Sequence, residues 1–180
     1  MTDKPRPPER LFVERIPTPV GEGVLVTDSD GALRAFDWTD HEERMARLLS
    51  RQYSARARLE DGRAPADVRS AFDAYFAGDL AALSAVRWAT GGTPFQRRVW
   101  TALCDIPAGK TESYGVLAQR LGLPKAVRAV GLANGANPVA LVAPCHRVIG
   151  ADGGLTGYGG GIERKRWLLR HEGAAFRGAA

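Results

Sequence analysis

A chain of 180 residues with 44% hydrophobic residues can bury the core of one compact domain or of two small ones. It holds no apolar run of about 18 residues, which excludes a membrane-spanning helix, and its opening MTDKPRPPER lacks the apolar stretch of a signal peptide. Two cysteines exclude a disulfide framework and point to reduced thiols, so a cytoplasmic location is expected.

The net charge of +5 is unevenly placed. Residues 1–90 carry 13 Lys and Arg against 15 Asp and Glu, whereas residues 91–180 carry 12 against 5. A basic second half fits contact with a polyanion, and it fits an ordinary solvated surface as well.

In chain order, residues 1–10 read as a flexible tail. LFVERI (11–16), GVLVT (23–27) and ALRAFDW (32–38) read as strands, with turn signals in TPVGEG and DSDG. DHEERMARLLS (40–50) predicts a helix, and the polar, Arg-rich residues 51–64 a loop. Residues 64–79 predict a second helix, with Val68, Phe72, Tyr75 and Phe76 at helical spacing and Gly78 ending it. LSAVRW (83–88) is expected to add a strand. ATGG (89–92) reads as a joint between an N-terminal α/β domain over 11–90 and a second domain over 91–180.

Thr93-Pro94 suits a helix start, because Thr can cap and Pro fits the first helical position. Phe95, Val99, Trp100 and Leu103 share one face of that helix, and Cys104 beside them reads as a core thiol. SYGVLAQRL (113–121) and KAVRAVGLANG (125–135) are two short helices broken by GLP. This is the outline of a helix-turn-helix, and equally of a plain αα-hairpin. The second helix carries Ala126, Ala129, Gly131 and Ala133, small enough for a close approach to DNA, with Arg128 projecting among them.

PCHRV (144–148) holds the candidate chemistry. Pro144 restricts the backbone, so Cys145 should sit in a fixed, non-helical turn. A thiol reacts as its thiolate, and a histidine can take the proton, here His146 directly or through a water. Such a histidine is usually oriented by a third group. Glu172 is the candidate. It ends a helix expected over 162–173, where a carboxylate is electrostatically misplaced by roughly 0.3–1 kcal/mol. It either faces solvent or has a partner such as His146; His171 is expected to be exposed. Cys145 and Cys104 lie 41 positions apart and only three histidines exist, so no zinc-ligand spacing is present and no metal or cofactor is expected. Six of the nine residues 153–161 are glycine, with Tyr158 among them: a loop that can close over a flat ligand, or a plain surface loop. From these residues alone a thiol hydrolase and a cysteine-bearing DNA-binding regulator stay open.

Taken in order, TPFQRRVW, IPAGKTESYG, VRAVGLANGANP, PCHRVIG and LTGYGGGIERKRWLLRHEG resemble the O6-alkylguanine-DNA alkyltransferases, the methylated-DNA–protein-cysteine methyltransferases, in their bacterial constitutive form. The likeness covers about residues 93–173; earlier residues match in layout only, as IPTPVG and FDAYFAGD. It implies an α/β protein with a small N-terminal, ribonuclease H-like domain on a three-stranded sheet. A mostly helical, winged-helix-like domain would follow, binding DNA and accepting the alkyl group.

It also implies roles. Cys145 would take the alkyl group from O6-alkylguanine, and from O4-alkylthymine, once per molecule, after His146, oriented by Glu172, removes the thiol proton. Asn137 would brace the turn of the cysteine. Tyr114 would bond the damaged base and help rotate its phosphate. Arg128 would fill the gap left by the flipped nucleotide. Ser113, Tyr114, Ala126, Ala129 and Gly131 would meet the minor groove of double-stranded DNA. Tyr114, Val148, Tyr158 and Gly159 would line the base pocket. The protein would act as a monomer. Some relatives have serine where Gly159 stands, which bears on pocket size. Others bind zinc or carry a sensing domain through cysteines that residues 1–90 lack.

Overall fold

The computed structural model describes residue 8, residues 10–53 and residues 58–179. The expected tail over 1–10 lies outside the described residues except at positions 8 and 10. The chain forms two compact units: Met1–Thr93 with Pro138–Val142, and Pro94–Asn137 with Ala143–Ala180. The second half is thus not one uninterrupted block, because five residues just before the Cys-His stretch belong to the first unit.

The first unit is built on a mixed sheet. Strands β1 (Arg10–Thr18), β2 (Gly21–Asp28) and β3 (Leu33–Trp38) form an antiparallel meander. The β1–β2 pairing closes at Thr18↔Gly21, where Gly21 takes a φ of 117° that a side chain would resist. Helix α1 (Glu42–Tyr53) covers one face: Leu11, Val24, Val26 and Ala35 pack with Met45, Leu49 and Tyr53. Helix α2 (Ala66–Phe76) lies by Phe36, whose ring centroid is 4.7 Å from that of Phe72. Within the same unit Phe36 N–H donates to Pro138 O (2.8 Å), and Phe36 bridges to Val139. Leu141 in that returning segment is buried with a φ of 71°, a conformation costing a non-glycine residue roughly 1–2 kcal/mol.

Two expectations change. The sheet has four strands, in the order β3-β2-β1-β4, not three. Strand β4 (Arg58–Asp61), placed in a loop by its polarity, runs parallel to β1 at the sheet edge. An exposed edge strand needs few apolar residues, and Arg10 grips Glu60 across the pairing at 2.6 and 3.1 Å. Conversely, LSAVRW is not a strand. Ala82–Ala85 forms a 3-10 turn, with Ser84 Oγ donating to Ala81 O, and Trp88 keeps a single bridge to Leu33.

The second unit is mostly helical. Helix α3 (Pro94–Leu103) opens on its proline and buries Val99, Trp100 and Leu103. Cys104, just past its last turn, is exposed and not the core thiol expected; its Sγ–H donates to Trp100 O. A two-residue strand β5 (Glu112–Ser113) leads into α4 (Tyr114–Arg120), and α5 (Val127–Gly135) follows after Gly122 (φ 72°). Trp100 Nε1–H donates to Ala133 O at 2.8 Å, tying α3 to α5. Strand β6 (Val148–Ile149) pairs parallel with β5, and α6 (Ile162–His171) ends the unit over a core of Ile149, Leu169, Ala174 and Phe176.

Candidate active site

Pro144 has φ −80° and ψ 69°, and Cys145 N–H donates back to Ala143 O at 2.8 Å. Those values define an inverse γ-turn. The restricted turn therefore lies at Pro144. Cys145 itself opens a 3-10 turn, Cys145–Arg147, rather than the non-helical conformation expected. Asn137, fully buried, donates from Nδ2 to the same Ala143 oxygen at 2.6 Å. Asn134 Nδ2 adds a long contact of 3.5 Å to Cys145 O. Two residues near the end of α5 thus hold the backbone on which the thiol is mounted.

The three residues of the turn are buried: Cys145 at 5% exposure, His146 at 0% and Arg147 at 8%. Glu172 caps the C-terminal end of α6 and is itself buried, so it is not the solvated carboxylate one reading allowed. His146 Nε2 lies 2.8 Å from Glu172 Oε1. Arg147 reaches the same carboxylate with both arms, Nε to Oε2 at 2.8 Å and Nη2 to Oε1 at 2.9 Å, and its Nη1 donates to Ile106 O. Burial alone would raise the Glu172 carboxyl, but the imidazole and the guanidinium outweigh it and hold it well below the usual carboxylate range. Burial pushes His146 the other way, down, beyond the raising pull of Glu172 and with help from the cations Arg147 and Lys165. The ring is therefore neutral at pH 7. An ionised carboxylate can only accept, so Nε2 carries the hydrogen and donates it to Glu172. The other nitrogen, Nδ1, has no protein hydrogen-bond partner and keeps its lone pair for a proton.

Arg147 and Lys165 were not assigned roles from sequence. Lys165 is fully buried in α6, with Nζ donating to Val148 O at 2.6 Å and to Thr156 O at 3.4 Å. Burial holds its pKa down at about 8, against the raising pull of negative charge on Cys145. Its sequence signal was its place on the α6 stripe with Ile162, Leu168 and Leu169, masked by the flanking arginines.

The remaining candidates fall in two places. Tyr114, half-buried at the start of α4, lies against Gly131, and its oxygen accepts from Thr156 Oγ1 at 3.2 Å. Ser113 caps the same helix, its Oγ accepting from Val116 N–H. Arg128 and Ala129 are exposed on α5 and Ala126 is half-buried before it, whereas Ala133 is buried and does not share their face. Near the turn, Val148 is fully buried, Gly159 half-buried, and the Tyr158 ring stands edge-on to His146 with centroids 6.5 Å apart. His171 is half-buried, stacked on Trp167, rather than exposed. Among the described residues no group of three His, Cys, Asp or Glu could hold a metal, and no helix is long and apolar enough to cross a membrane.

A buried cysteine on a braced turn, followed by a neutral histidine oriented by a carboxylate, has the parts expected of a thiol-nucleophile protein. A family model described as "6-O-methylguanine DNA methyltransferase, DNA binding domain" matches residues 94–174. A methylated-DNA–protein-cysteine methyltransferase of Salmonella typhimurium is 50% identical over 165 residues, 91% of this chain and 96% of the relative. The crystal structure of Mycobacterium tuberculosis OGT in complex with DNA superposes with a TM-score of 0.73 at 40% identity, covering 91% of this chain and 92% of the other. The O6-methylguanine-DNA methyltransferase of Pyrococcus kodakaraensis gives 0.69 at 27% identity, covering 91% and 99%. The chain belongs to the methylated-DNA–protein-cysteine methyltransferase family.

Two outcomes test this geometry. Glu172→Gln leaves the buried Arg147 charge unpaired and should lower stability by about 3 kcal/mol. In Arg147→Met/Glu172→Gln at least half of that loss should return, read from urea midpoints; additive losses would show that the two groups do not act as a pair. For Lys165, the folded value of about 8 lies below the unfolded value near 10.4, so between them the unfolded chain binds more protons and stability rises with pH. Relative to Lys165→Met, the wild-type protein should gain roughly 2–3 kcal/mol across that window; parallel curves would place Lys165 in water.

Proposed function

We infer that this protein repairs O6-alkylguanine in double-stranded DNA by direct transfer of the alkyl group to Cys145. O4-alkylthymine is a second substrate of the same chemistry. The observation that carries the reading is the Cys145-His146-Glu172 series, with Nδ1 of a neutral, fully buried imidazole left as the base.

His146 takes the thiol proton, through a water where direct contact is lacking. Sγ attacks the alkyl carbon, the S–C bond forms and the O6–C bond breaks. The guanine leaves on accepting a hydrogen bond from Tyr114 at a ring nitrogen, and the proton that the thiol gave up to His146 is returned through water to the leaving base. The product is a thioether and an intact guanine. A thioether has no carbonyl that activated water could attack, so the thiol is not regenerated and each molecule acts once.

The target atom lies inside the duplex, so the nucleotide must be flipped out at a cost of a few kcal/mol. Arg128, exposed on α5, fills the vacated place. The small residues Ala126, Ala129 and Gly131 let that helix of the helix-turn-helix approach the minor groove, with Ser113 and Tyr114 beside it. Val148, Tyr158 and Gly159 form the base pocket, and Asn137 keeps the cysteine turn in place. The protein works as a monomer in the cytoplasm, where its thiols stay reduced, and uses no cofactor.

The test is stoichiometry. With excess duplex containing one O6-methylguanine, repaired base should plateau at about one equivalent of protein. The intact mass should rise by one methyl group, mapped to Cys145, and Cys145→Ala should repair nothing. Turnover beyond the plateau would indicate a conventional enzyme, and binding without transfer a regulator.

A further inference from the structure

Helix α5 buries Val130, Ala133 and Asn134 and turns its opposite side to solvent. The crest of that outer side holds Arg128, Leu132 and Gly135, with Ala129 beside them, all exposed. Leu132 is 69% exposed, the most exposed of the large hydrophobic residues on the described surface. It follows Arg128 by four residues, so it stands about 40° around the helix and about 6 Å further along it. A leucine left in water at the centre of the outer face, next to the one cation of the helix, has a use when that face is covered. The covering partner is marked by charge: α5 carries no acidic residue, and residues 91–180 hold 12 Lys and Arg against 5 Asp and Glu.

We propose that Leu132 is an apolar wedge that enters the DNA minor groove beside Arg128 and reads the neighbouring base pair. The proposal builds on the repair function inferred above. The chemistry of the groove gives it direction. At G·C pairs the guanine N2 amino group projects as a donor into the minor groove, and at A·T pairs none does. A leucine packed on the groove floor cannot accept that hydrogen bond, so it leaves a buried donor unsatisfied over G·C and none over A·T. Repair is therefore biased toward lesions with A·T one or two pairs away on the Leu132 side, a mild preference on otherwise sequence-tolerant binding.

The experiment uses the full chain and 20-base-pair duplexes with one O6-methylguanine. A·T or G·C is placed one and two pairs to either side. Wild-type protein repairing to one equivalent secures the underlying reading; if it repairs nothing, both that reading and this proposal fail. Given repair, Leu132→Ala should raise the Kd for duplex about fivefold to tenfold. The slope of log Kd against log salt should not change, because no phosphate contact is removed. The wild-type preference for A·T, at one flanking position, should fall toward unity in Leu132→Ala. Alanine is a better helix former, and a matching thermal melt excludes a folding defect. Wild-type affinity in Leu132→Ala overturns the proposal. Weakened binding with the base preference intact overturns the reading of the base pair and leaves the leucine on the sugars. A reduced salt slope would place the effect on the phosphates and overturn it as well.

Discussion

Glu172 ends α6, where the helix dipole disfavours an anion by roughly 0.3–1 kcal/mol, and it is buried as well. Both facts should eject it or protonate it. Arg147 prevents that, with two short bonds to the two carboxylate oxygens from a guanidinium that is itself buried and also holds Ile106 O. A bidentate pair of this kind survives burial because its geometry is good and its remaining donors are used. The fixed negative charge then sets His146: orientation through the 2.8 Å contact at Nε2, and tautomer through the need for a donor there. Arg147 thus never needs to touch a substrate, yet the basicity of the neighbouring imidazole depends on it.

The turn that holds the thiol is fixed in a similar way from the other side. The Ala143 carbonyl receives both the Cys145 amide and the Asn137 side chain, and Pro144 leaves the chain little freedom between them. Lys165 ties Val148 O to Thr156 O, joining the strand after the nucleophile to the glycine-rich loop. The backbone that carries Cys145 is thus held by hydrogen bonds from Asn137 and Asn134.

Much of this was legible in the sequence, for identifiable reasons. Pro-Cys-His announces a constrained thiol beside a base, and a carboxylate at a helix C-terminus is an anomaly that asks for a partner. Glu172 proved to have two. Arg147 went unassigned because an arginine next to a histidine looks like surface charge; nothing local reveals that its target lies 25 residues away. Lys165 was hidden among Arg164 and Arg166, although its helical spacing put it on the apolar stripe. In the first unit, β4 was missed because edge strands pair through backbone and do not need an apolar face. The stretch at 83–88 was over-read because Leu, Val and Trp there serve a turn and one bridge. Cys104 reads as a core thiol because it stands beside the apolar stripe of α3, but α3 ends at Leu103 and Cys104 is exposed.

The proposed alkyl transfer requires a neutral His146 that donates from Nε2 to an ionised Glu172 and leaves Nδ1 open. Nitrogen NMR of the protein with 15N-labelled histidine reads that state directly. The account predicts that at pH 7 the His146 ring shows one protonated nitrogen, coupled across the hydrogen bond to Glu172 and assigned to Nε2, and one bare nitrogen at Nδ1. Because burial lowers its pKa, this pattern should persist below pH 6.5, where an exposed histidine is mostly charged. Two protonated ring nitrogens at pH 7, or a proton on Nδ1 with Nε2 bare, would contradict it.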